Sequence, residues 1–491
     1  MSNQNSVLQV DKISFQQEQD KLLKTLLEQR FFTGWKRRFP TREHDVPLAG
    51  LELFVTSTCN QKCEYCYLVK HKDLYPAEVN KREDIINNMK ILFDWIIENE
   101  YSLPVLDFFT GEIWHNQFGL EVLDIAYDYI VNKGMRVRGI MIPTNCSFLH
   151  DEKQTCEIQN RIDNFHRAGI SFRVSISIDG KLVEDEMRPM INGTVYKKDD
   201  EFYEKVFAFA KHNGFGFHPM IAAGSIDKWI DNYKWWKMML KKYHLPMDYL
   251  MMLEVRNDDW TEENKQDLNK FVEFLVDEVI TYHDGNLNVA IDDLLAINQT
   301  YEVDESDMVW GHQSSYTPFT FGESRGFYGC SISTHMTVRL GDLAIVPCHR
   351  TAYHKQVYGY FKVENDKIID ITANNPHLAI NILMTDNRYG ILGCDTCVFQ
   401  GVCFGCCRGQ SREATGDPLH NDPKVCAFLK SKYGGMFDVY EKKGIMQWLE
   451  ENLSEYHTSY TGLKVILDTY HKYKEVKEHE RLESHRQNVY W

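Results

Sequence analysis

The chain has 491 residues, of which 43% are hydrophobic, and this suits a globular protein of roughly two or three domains. Its formal charge of −16 argues against general nucleic-acid binding, because phosphates attract basic surfaces. Residues 1–20 lack the apolar run of an export signal, and no later stretch resembles a membrane span. Thirteen cysteines without an export signal indicate a reducing compartment, where thiols bind metals more often than they form disulfides. We therefore expect a cytoplasmic protein with no nucleic-acid and no membrane partner.

Residues 1–49 are predicted to form an N-terminal helical extension. Within the predicted helix 15–30, four leucines form an apolar stripe: Leu22, Leu23, Leu26 and Leu27. Such a stripe is more typical of core packing than of a peptide-binding site.

Residues 50–303 alternate short β-rich segments with longer stretches of helical periodicity. The predicted strands are 51–55, 105–109, 137–142, 172–178, 215–221 and 249–255. This alternation predicts βα units around a parallel sheet, so the fold class is α/β. The number of units suits a partial (β/α)6 TIM-like barrel. In such folds the chemistry gathers at the carboxyl ends of the strands.

Three cysteines, Cys59, Cys63 and Cys66, lie in one short loop directly after the first predicted strand. Three thiolates at this spacing can hold three corners of a cubane iron–sulfur cluster and leave the fourth iron open for another ligand. A zinc site is the alternative. Because no histidine lies nearby, a closed four-ligand zinc site would need a distant partner.

The spacing of this loop, with Tyr65 in the aromatic slot, resembles the cluster loop of radical S-adenosylmethionine (SAM) enzymes, Cys-x3-Cys-x-aromatic-Cys. The resemblance implies that the open iron binds SAM and that Tyr65 shapes the adenine side or packs beside the cluster. Three residues after the second strand resemble the family's Gly-Gly-Glu motif, which would accept hydrogen bonds from the ammonium group of SAM: Thr110, Gly111 and Glu112. After the fourth strand, Ser177 and Arg188 resemble the residues that clamp the sugar and carboxylate of SAM.

Residues 304–435 contain eight cysteines, many glycines and few long periodic stretches, so metal ligation is expected to replace part of a hydrophobic core. The spacing Cys-x2-Cys-x5-Cys-x3-Cys that starts at Cys394 resembles the SPASM extension of radical SAM enzymes that modify peptides and proteins. The pattern departs slightly from the family's, because six residues separate Gly341 from Cys348. The resemblance implies a C-terminal Cys-rich domain that binds two auxiliary [4Fe-4S] clusters, three clusters in all with the SAM cluster.

The resemblance also assigns ligands to the auxiliary clusters. One cluster would be held by four thiolates: Cys394, Cys397, Cys403 and Cys426. The other would be held by three: Cys330, Cys348 and Cys407. Fully ligated relatives have a further cysteine where this chain has Ser324, so we expect an open iron that can bind a substrate thiolate. Cys406 is a rival ligand or a proton or hydrogen donor, whereas Cys146 and Cys156 are interpreted as structural.

The resemblance implies an oxidoreductase that generates a 5′-deoxyadenosyl radical and modifies a ribosomally made precursor peptide. Ser324 favours thioether cross-links, in which a peptide cysteine is joined to carbon. The alternatives are carbon–carbon cross-linking and the oxidation that makes formylglycine in sulfatases. In sulfatase maturases an aspartate base follows the second auxiliary cysteine, whereas here His349 follows Cys348 and could act as the base. A non-catalytic iron–sulfur redox scaffold is the remaining alternative.

The expected partners are a Cys-containing precursor peptide and a small electron donor such as flavodoxin or ferredoxin. Residues 1–49 are few for a complete winged-helix leader-binding module, so a separate leader-binding protein or a reduced element stays open. Residues 436–491 are strongly charged with helical periodicity, which predicts a solvated helical tail.

Overall fold

The computed structural model describes residues 3–36, 50–71, 81–109, 111–115, 118–191, 197–295, 335–383, 393–394, 396–403, 406–457 and 460–488. The chain divides into two compact units. The first unit comprises Met1–His218 and Cys330–Asp386, and the second comprises Pro219–Gly329 and Asn387–Trp491. No helix in these ranges is long and apolar enough to cross a membrane.

A nine-stranded sheet forms the centre of the first unit. The strands of the chain are β1 (Gly50–Phe54), β2 (Ser102–Leu103), β3 (Leu106–Phe109), β4 (Arg136–Val137), β5 (Gly139–Thr144), β6 (Ser171–Ile176), β7 (Gly216–Phe217), β8 (Met220–Ile221), β9 (Leu253–Glu254), β10 (His335–Arg339), β11 (Ala344–Val346), β12 (Gly359–Glu364) and β13 (Lys367–Ala373). The order in the large sheet is β13-β12-β11-β10-β1-β3-β5-β6-β7. Its strands from β10 to β7 are parallel, whereas β11, β12 and β13 continue it as antiparallel neighbours. The predicted α/β fold with a large parallel sheet is therefore confirmed.

The helices follow the strands as the sequence periodicity predicts. Those of the first unit are Asn3–Leu27, Thr33–Trp35, Tyr67–Lys70, Arg82–Glu98, Phe118–Tyr127, Glu152–Arg167, Glu184–Met187, Asp200–Asn213 and Pro376–Leu383, with π-helical turns at Glu28–Phe32 and Asp128–Asn132 and 3₁₀ turns at Ser147–His150, His349–Thr351 and His354–Gln356. Helix Arg82–Glu98 buries an apolar stripe at helical spacing that includes Ile85, Met89 and Leu92. Helix Glu152–Arg167 begins after Asp151, whose side chain accepts a hydrogen bond from the Gln154 N–H.

Helix Asn3–Leu27 lies along the edge strand β13. The side chain of Gln16 donates to the Ala373 carbonyl at 2.9 Å, and the Asp20 carboxylate accepts from the Ala373 N–H at 2.7 Å. These bonds satisfy backbone groups that an open sheet edge would expose. Leu23, Leu26 and Leu27 are buried, which agrees with the core-packing interpretation of the stripe, whereas Leu22 is exposed.

The second unit is mainly helical. Its strands β8 and β9 form a parallel pair, and its helices are Trp229–Lys242, Glu262–Tyr282, Leu287–Leu295, Arg408–Thr415, Pro423–Lys442, Ile445–Asn452 and Tyr460–Asn488, with 3₁₀ turns at Ala223–Lys228 and Met247–Tyr249. Helix Glu262–Tyr282 starts with a capping box formed by Thr261 and Asn264. The predicted strand 249–255 is present as the short strand β9, and 215–221 is divided into β7 and β8.

Each of the two units combines chain segments that the sequence analysis places in different predicted domains. Residues 335–373, which the sequence assigns to the auxiliary-cluster domain, supply strands β10–β13 of the large sheet. These segments are apolar enough to extend the sheet, because Met336, Val338 and Ile345 are buried in it. Helix Pro423–Lys442 runs across the predicted boundary at residue 436, whereas the predicted boundary at 304 lies outside the described residues.

Candidate active site

The cysteine loop begins where β1 ends and is fixed by backbone pairing to residues 187–191. The Lys62 N–H donates to the Pro189 carbonyl at 2.8 Å, and the Glu64 N–H donates to the Met187 carbonyl at 2.9 Å. Because the paired segment contains Arg188, the loop and this predicted SAM-binding arginine are held together by main-chain geometry.

The three loop thiols have the chemistry of cluster ligands. Cys63 is buried, while Cys59 and Cys66 are half-buried. Burial raises the pKa of Cys63 to about 12 and also raises the pKa of Cys59, so a positively charged partner such as an iron cluster would be needed to hold them as thiolates. The Gln61 N–H donates to the Cys59 sulfur at 3.4 Å, a contact that favours a thiolate.

No three His, Cys, Asp or Glu side chains in the described ranges surround one point as the ligands of a single metal ion would. The spacing of the three cysteines and the hydrogen bond to Cys59 fit a multi-iron cluster. Cys59, Cys63 and Cys66 are the residues that would hold it.

Gly111 brings the segment after β3 against the cysteine loop. Its N–H donates to the Thr56 carbonyl and the Glu112 N–H donates to the Thr58 carbonyl, both at 2.9 Å. A Cβ atom at Gly111 would lie 2.0 Å from the Thr58 carbonyl oxygen, so only glycine fits. Because residue 111 is glycine, the backbone after β3 can lie directly against the backbone of the cysteine loop. Thr110 lies outside the described residues.

Glu112 is buried and joins the ends of two neighbouring strands. Its carboxylate accepts from the Thr144 hydroxyl at 2.9 Å, from the Asn145 N–H at 2.7 Å and from the Trp114 N–H at 3.3 Å. Burial raises the pKa of Glu112 to about 7, although these hydrogen bonds favour the charged form. A carboxylate offers about four acceptor positions, so capacity for the SAM ammonium group is left.

A second carboxylate, Asp179, connects two of the predicted SAM-binding residues. The Tyr65 hydroxyl donates to Asp179 Oδ2 at 2.6 Å, and Arg188 Nε lies 3.1 Å from Asp179 Oδ1. The side chains of Asp179 and Arg188 are 0% and 8% exposed, so this is a buried ion pair. Burial alone would lower the pKa of Arg188, but Asp179 raises it well above its usual value. Behind this pair, Glu184 accepts the Asp179 N–H at 2.5 Å and pairs with Lys198 at 2.9 Å.

We expect Asp179→Asn to destabilise the protein strongly while keeping its shape. The amide can still accept the Tyr65 hydrogen bond, but the buried Arg188 loses its partner charge, which typically costs about 3–5 kcal/mol. The measurement is the thermal unfolding midpoint of the purified protein by circular dichroism. Asp185→Asn is the matched control because Asp185 is exposed on the neighbouring helix and should change the stability by less than about 0.5 kcal/mol. Equal midpoints for the two variants would contradict this prediction.

The structure also places Ser177, which is predicted to bind the sugar of SAM. Ser177 follows β6, and its N–H donates to the Thr144 carbonyl at 2.7 Å.

Cys146 is buried with a left-handed φ of 59°. Its burial agrees with the structural interpretation of that thiol. Cys156, the other structural candidate, lies exposed on helix Glu152–Arg167.

His349, which follows Cys348, is held by a buried glutamate of β1. Its Nδ1 lies 2.8 Å from Glu52 Oε2, and its N–H donates to Glu52 Oε1 at 2.8 Å. The imidazole also stacks on Phe109, with the ring centres 3.7 Å apart. Burial raises the pKa of Glu52, but His349 and Thr337 counteract this effect and lower it to about 2. Glu52 is therefore an anion, and its carboxylate orients the His349 imidazole.

The three ligands assigned to the first auxiliary cluster are not brought together within one described unit. Cys330 lies outside the described residues, as does Ser324. Cys348 is buried in the first unit, and Cys407 caps helix Arg408–Thr415 in the second. This ligand assignment therefore stays a prediction.

The second unit contains a cavity walled by thiols. About 470 Å³ of its space is not filled by atoms, part of it open to solvent, and its lining includes Cys394, Cys397, Cys403, Cys406 and Cys426. The Asn421 amide donates to the Cys394 sulfur at 3.3 Å. The structure thus brings together the four cysteines assigned to the second auxiliary cluster and adds Cys406. A soft thiolate donor set that lines one cavity fits an iron–sulfur cluster.

Three charged residues that the sequence analysis missed lie near this cavity. Lys432 Nζ pairs with Glu254 at 2.5 Å in the interior, where burial lowers the pKa of Lys432. Arg256 is half-buried, and its charge interacts with Glu254 and with the thiols of Cys403 and Cys407. Positive groups at this position would stabilise an anionic thiolate-bound cluster.

The comparisons with known proteins agree with the architecture. No protein-family model and no curated protein matches the sequence. Among solved structures, the chain is similar to polyhistidine-tagged anSMEcpe with bound AdoMet, at 16% identity and a TM-score of 0.50, covering 86% of this chain and 99% of that one. It is also similar to native anSMEcpe with bound AdoMet, at 17% identity and a TM-score of 0.51, covering 80% and 99%. Native anSMEcpe with AdoMet and the Cp18Cys peptide gives 17% identity, a TM-score of 0.50, and coverage of 80% and 98%. The chain thus has the fold of the anSMEcpe structures.

Proposed function

We propose that this protein is a radical SAM enzyme with auxiliary iron–sulfur clusters that modifies a peptide or protein. The observation that carries the proposal is the Cys59–Cys66 loop, which main-chain pairing holds against the segment bearing Arg188. The fold supports it, because anSMEcpe is an anaerobic sulfatase-maturating enzyme of the radical SAM/SPASM class and is solved with AdoMet and with peptides.

The bound SAM cluster and SAM would supply a 5′-deoxyadenosyl radical for hydrogen abstraction from an unactivated carbon. The protein positions the reactants. Asp179 holds the Arg188 guanidinium, whose planar fork can pair with the SAM carboxylate. Glu112 can accept the SAM ammonium group, and Tyr65, fixed by Asp179, bounds the site. Ser177, at the end of β6, is proposed to contact the sugar of SAM.

The substrate class is a peptide, and the leading product is a thioether cross-link. This product requires the first auxiliary cluster to keep an open iron, for which Ser324 is the sequence argument. Three [4Fe-4S] clusters, a Cys-containing precursor peptide and a flavodoxin- or ferredoxin-like donor complete the proposal. Carbon–carbon cross-linking is an alternative product, and a separate leader-binding protein is a further possible partner.

A second candidate function, formylglycine formation in a sulfatase, is favoured by the geometry of His349. The residue stands directly after Cys348 and is oriented by the Glu52 carboxylate at 2.8 Å. A histidine held in one orientation by a carboxylate is the usual arrangement of a proton acceptor in enzymes. His349 could therefore take the place of the aspartate that sulfatase maturases have at this position.

The test is anaerobic turnover of the reconstituted protein with SAM and dithionite, which replaces the natural electron donor. We expect 5′-deoxyadenosine to form and its rate to rise when a peptide substrate is present. The probes are the Cp18Cys peptide and a set of Cys-containing peptides encoded near the gene. A fully iron-loaded protein that forms no 5′-deoxyadenosine would favour the redox scaffold and overturn the proposal.

Mass spectrometry of the peptide separates the products. A thioether or carbon–carbon cross-link removes two hydrogens, and only the thioether also removes a thiol that can be alkylated. Formylglycine replaces the cysteine sulfur by a carbonyl oxygen, which reacts with hydrazines. The detection of formylglycine from the Cp18Cys peptide would select the second candidate.

A further inference from the structure

The thiol-lined cavity of the second unit holds one cysteine more than a cubane cluster uses. Each of the four irons in such a cluster takes one thiolate. The cavity is lined by the four assigned ligands and by Cys406, which is only 4% exposed. Cys406 therefore faces a cluster site that the assigned ligands already complete.

Cys406 and Cys426 line the same cavity, at the start of the same helix. The carbonyl oxygen of Asp422 accepts the Cys426 N–H at 2.9 Å, and the Cys406 sulfur lies 3.8 Å from the same oxygen. Asp422 caps helix Pro423–Lys442, whose first turn carries Cys426. Cys406 immediately precedes Cys407, which caps helix Arg408–Thr415. The two cysteines thus lie at the starts of two helices, and the Cys406 thiol contacts the capping residue of the helix that carries Cys426.

Exposure distinguishes the two cysteines. Cys426 is half-buried, whereas Cys406 is buried. Cys406 is thus a solvent-protected thiol in the same cavity as a more accessible one.

We propose that Cys406 is an alternative ligand for the cluster iron that Cys426 binds. This proposal rests on the auxiliary clusters of the proposed function. In the exchange, the Cys406 thiol loses its proton as its sulfur binds iron, and the departing Cys426 thiolate takes up a proton. The exchange transfers no electron, and the cluster keeps four thiolates. The site therefore tolerates the loss or modification of Cys426.

The test compares single and double alanine variants after anaerobic reconstitution. We expect C406A and C426A each to keep the iron and acid-labile sulfide content of the wild type, and the double variant C406A/C426A to lose about four irons per chain or to convert to a three-iron cluster. The matched control is C156A/C426A, since Cys156 is an exposed thiol elsewhere on the chain. It should keep the wild-type content.

The readouts are iron and sulfide analysis, with Mössbauer and electron paramagnetic resonance spectra that report cluster nuclearity. A C426A variant that already loses iron, or a C406A variant that does, would overturn the proposal. If the double alanine variant does not fold, C406S/C426A replaces it, because a hydroxyl is close to a thiol in shape but a poorer ligand for iron. A wild-type protein that takes up iron for the SAM cluster alone would refute the auxiliary clusters and this inference together, while SAM cleavage remained.

Discussion

Cys63→Ala is expected to abolish SAM cleavage, lowering 5′-deoxyadenosine formation at least roughly 1,000-fold. Cys63 is the buried member of the cysteine loop, and two remaining thiolates cannot hold a cubane in the geometry that leaves one iron open. The measurement is chromatographic quantification of 5′-deoxyadenosine under dithionite, together with iron analysis. The variant should lose about four irons per chain.

Cys146→Ala is the matched control for this prediction. Cys146 is buried, like Cys63, and lies close to the same site, directly after Asn145, whose side chain donates to Asn60 of the loop at 2.7 Å. Because nothing in the sequence or structure assigns Cys146 to a cluster, its variant should keep the wild-type iron content. A C63A protein that still cleaves SAM at the wild-type rate would contradict the cluster assignment.

The strand ends explain why much of this site could be predicted from the sequence. Residues directly after successive parallel strands meet at one edge of a sheet. Glu112 and Asn145 follow β3 and β5, and they are joined by a hydrogen bond of 2.7 Å between the carboxylate and the Asn145 N–H. A site residue that is placed only by following a strand can therefore be predicted from the sequence around it.

Partners that lie far apart along the chain could not be predicted in the same way. Asp179 pairs with Tyr65 across 114 residues, and Glu52 pairs with His349 across 297. Glu52 did leave one signal, because a charged residue inside the apolar segment Leu51–Val55 must find a buried partner. The sequence around Glu52 does not predict which residue that partner is.

The distant neighbour of strand β1 could not be predicted from the sequence for a related reason. Strand β10 pairs in parallel with β1, with His335 opposite Gly50, and nothing in the sequence of either strand specifies so distant a neighbour. The cysteine spacing suggested one continuous auxiliary domain, but Cys348 follows a strand of the sheet and the Cys394–Cys426 field belongs to the helical second unit. Cysteine motifs indicate which residues can bind a cluster and do not indicate which sheet or helix carries them.

Gly111→Ala is expected to remove the SAM cluster without touching any ligand. The new Cβ would lie 2.0 Å from the Thr58 carbonyl oxygen, next to Cys59, so the cysteine loop or the Glu112 segment must move. A displacement of about 1 Å at a positioned site can cost about 100-fold in rate, and we expect SAM cleavage to fall at least that far. The measurement is 5′-deoxyadenosine formation together with the visible absorption of the reconstituted cluster.

Gly169→Ala is the control that separates steric clash from the loss of a glycine. Gly169 has a φ of +77° and nothing within 4 Å of its Cβ position, so alanine there should cost about 1 kcal/mol of stability and leave SAM cleavage unchanged. A G111A protein that keeps both the cluster and the wild-type rate would contradict this prediction. It would mean that the segment after β3 can shift to accommodate the new Cβ despite its two backbone hydrogen bonds to the cysteine loop. If G111A loses the cluster while G169A keeps it, the backbone contact between Gly111 and Thr58 is what holds the loop in its ligand-binding form.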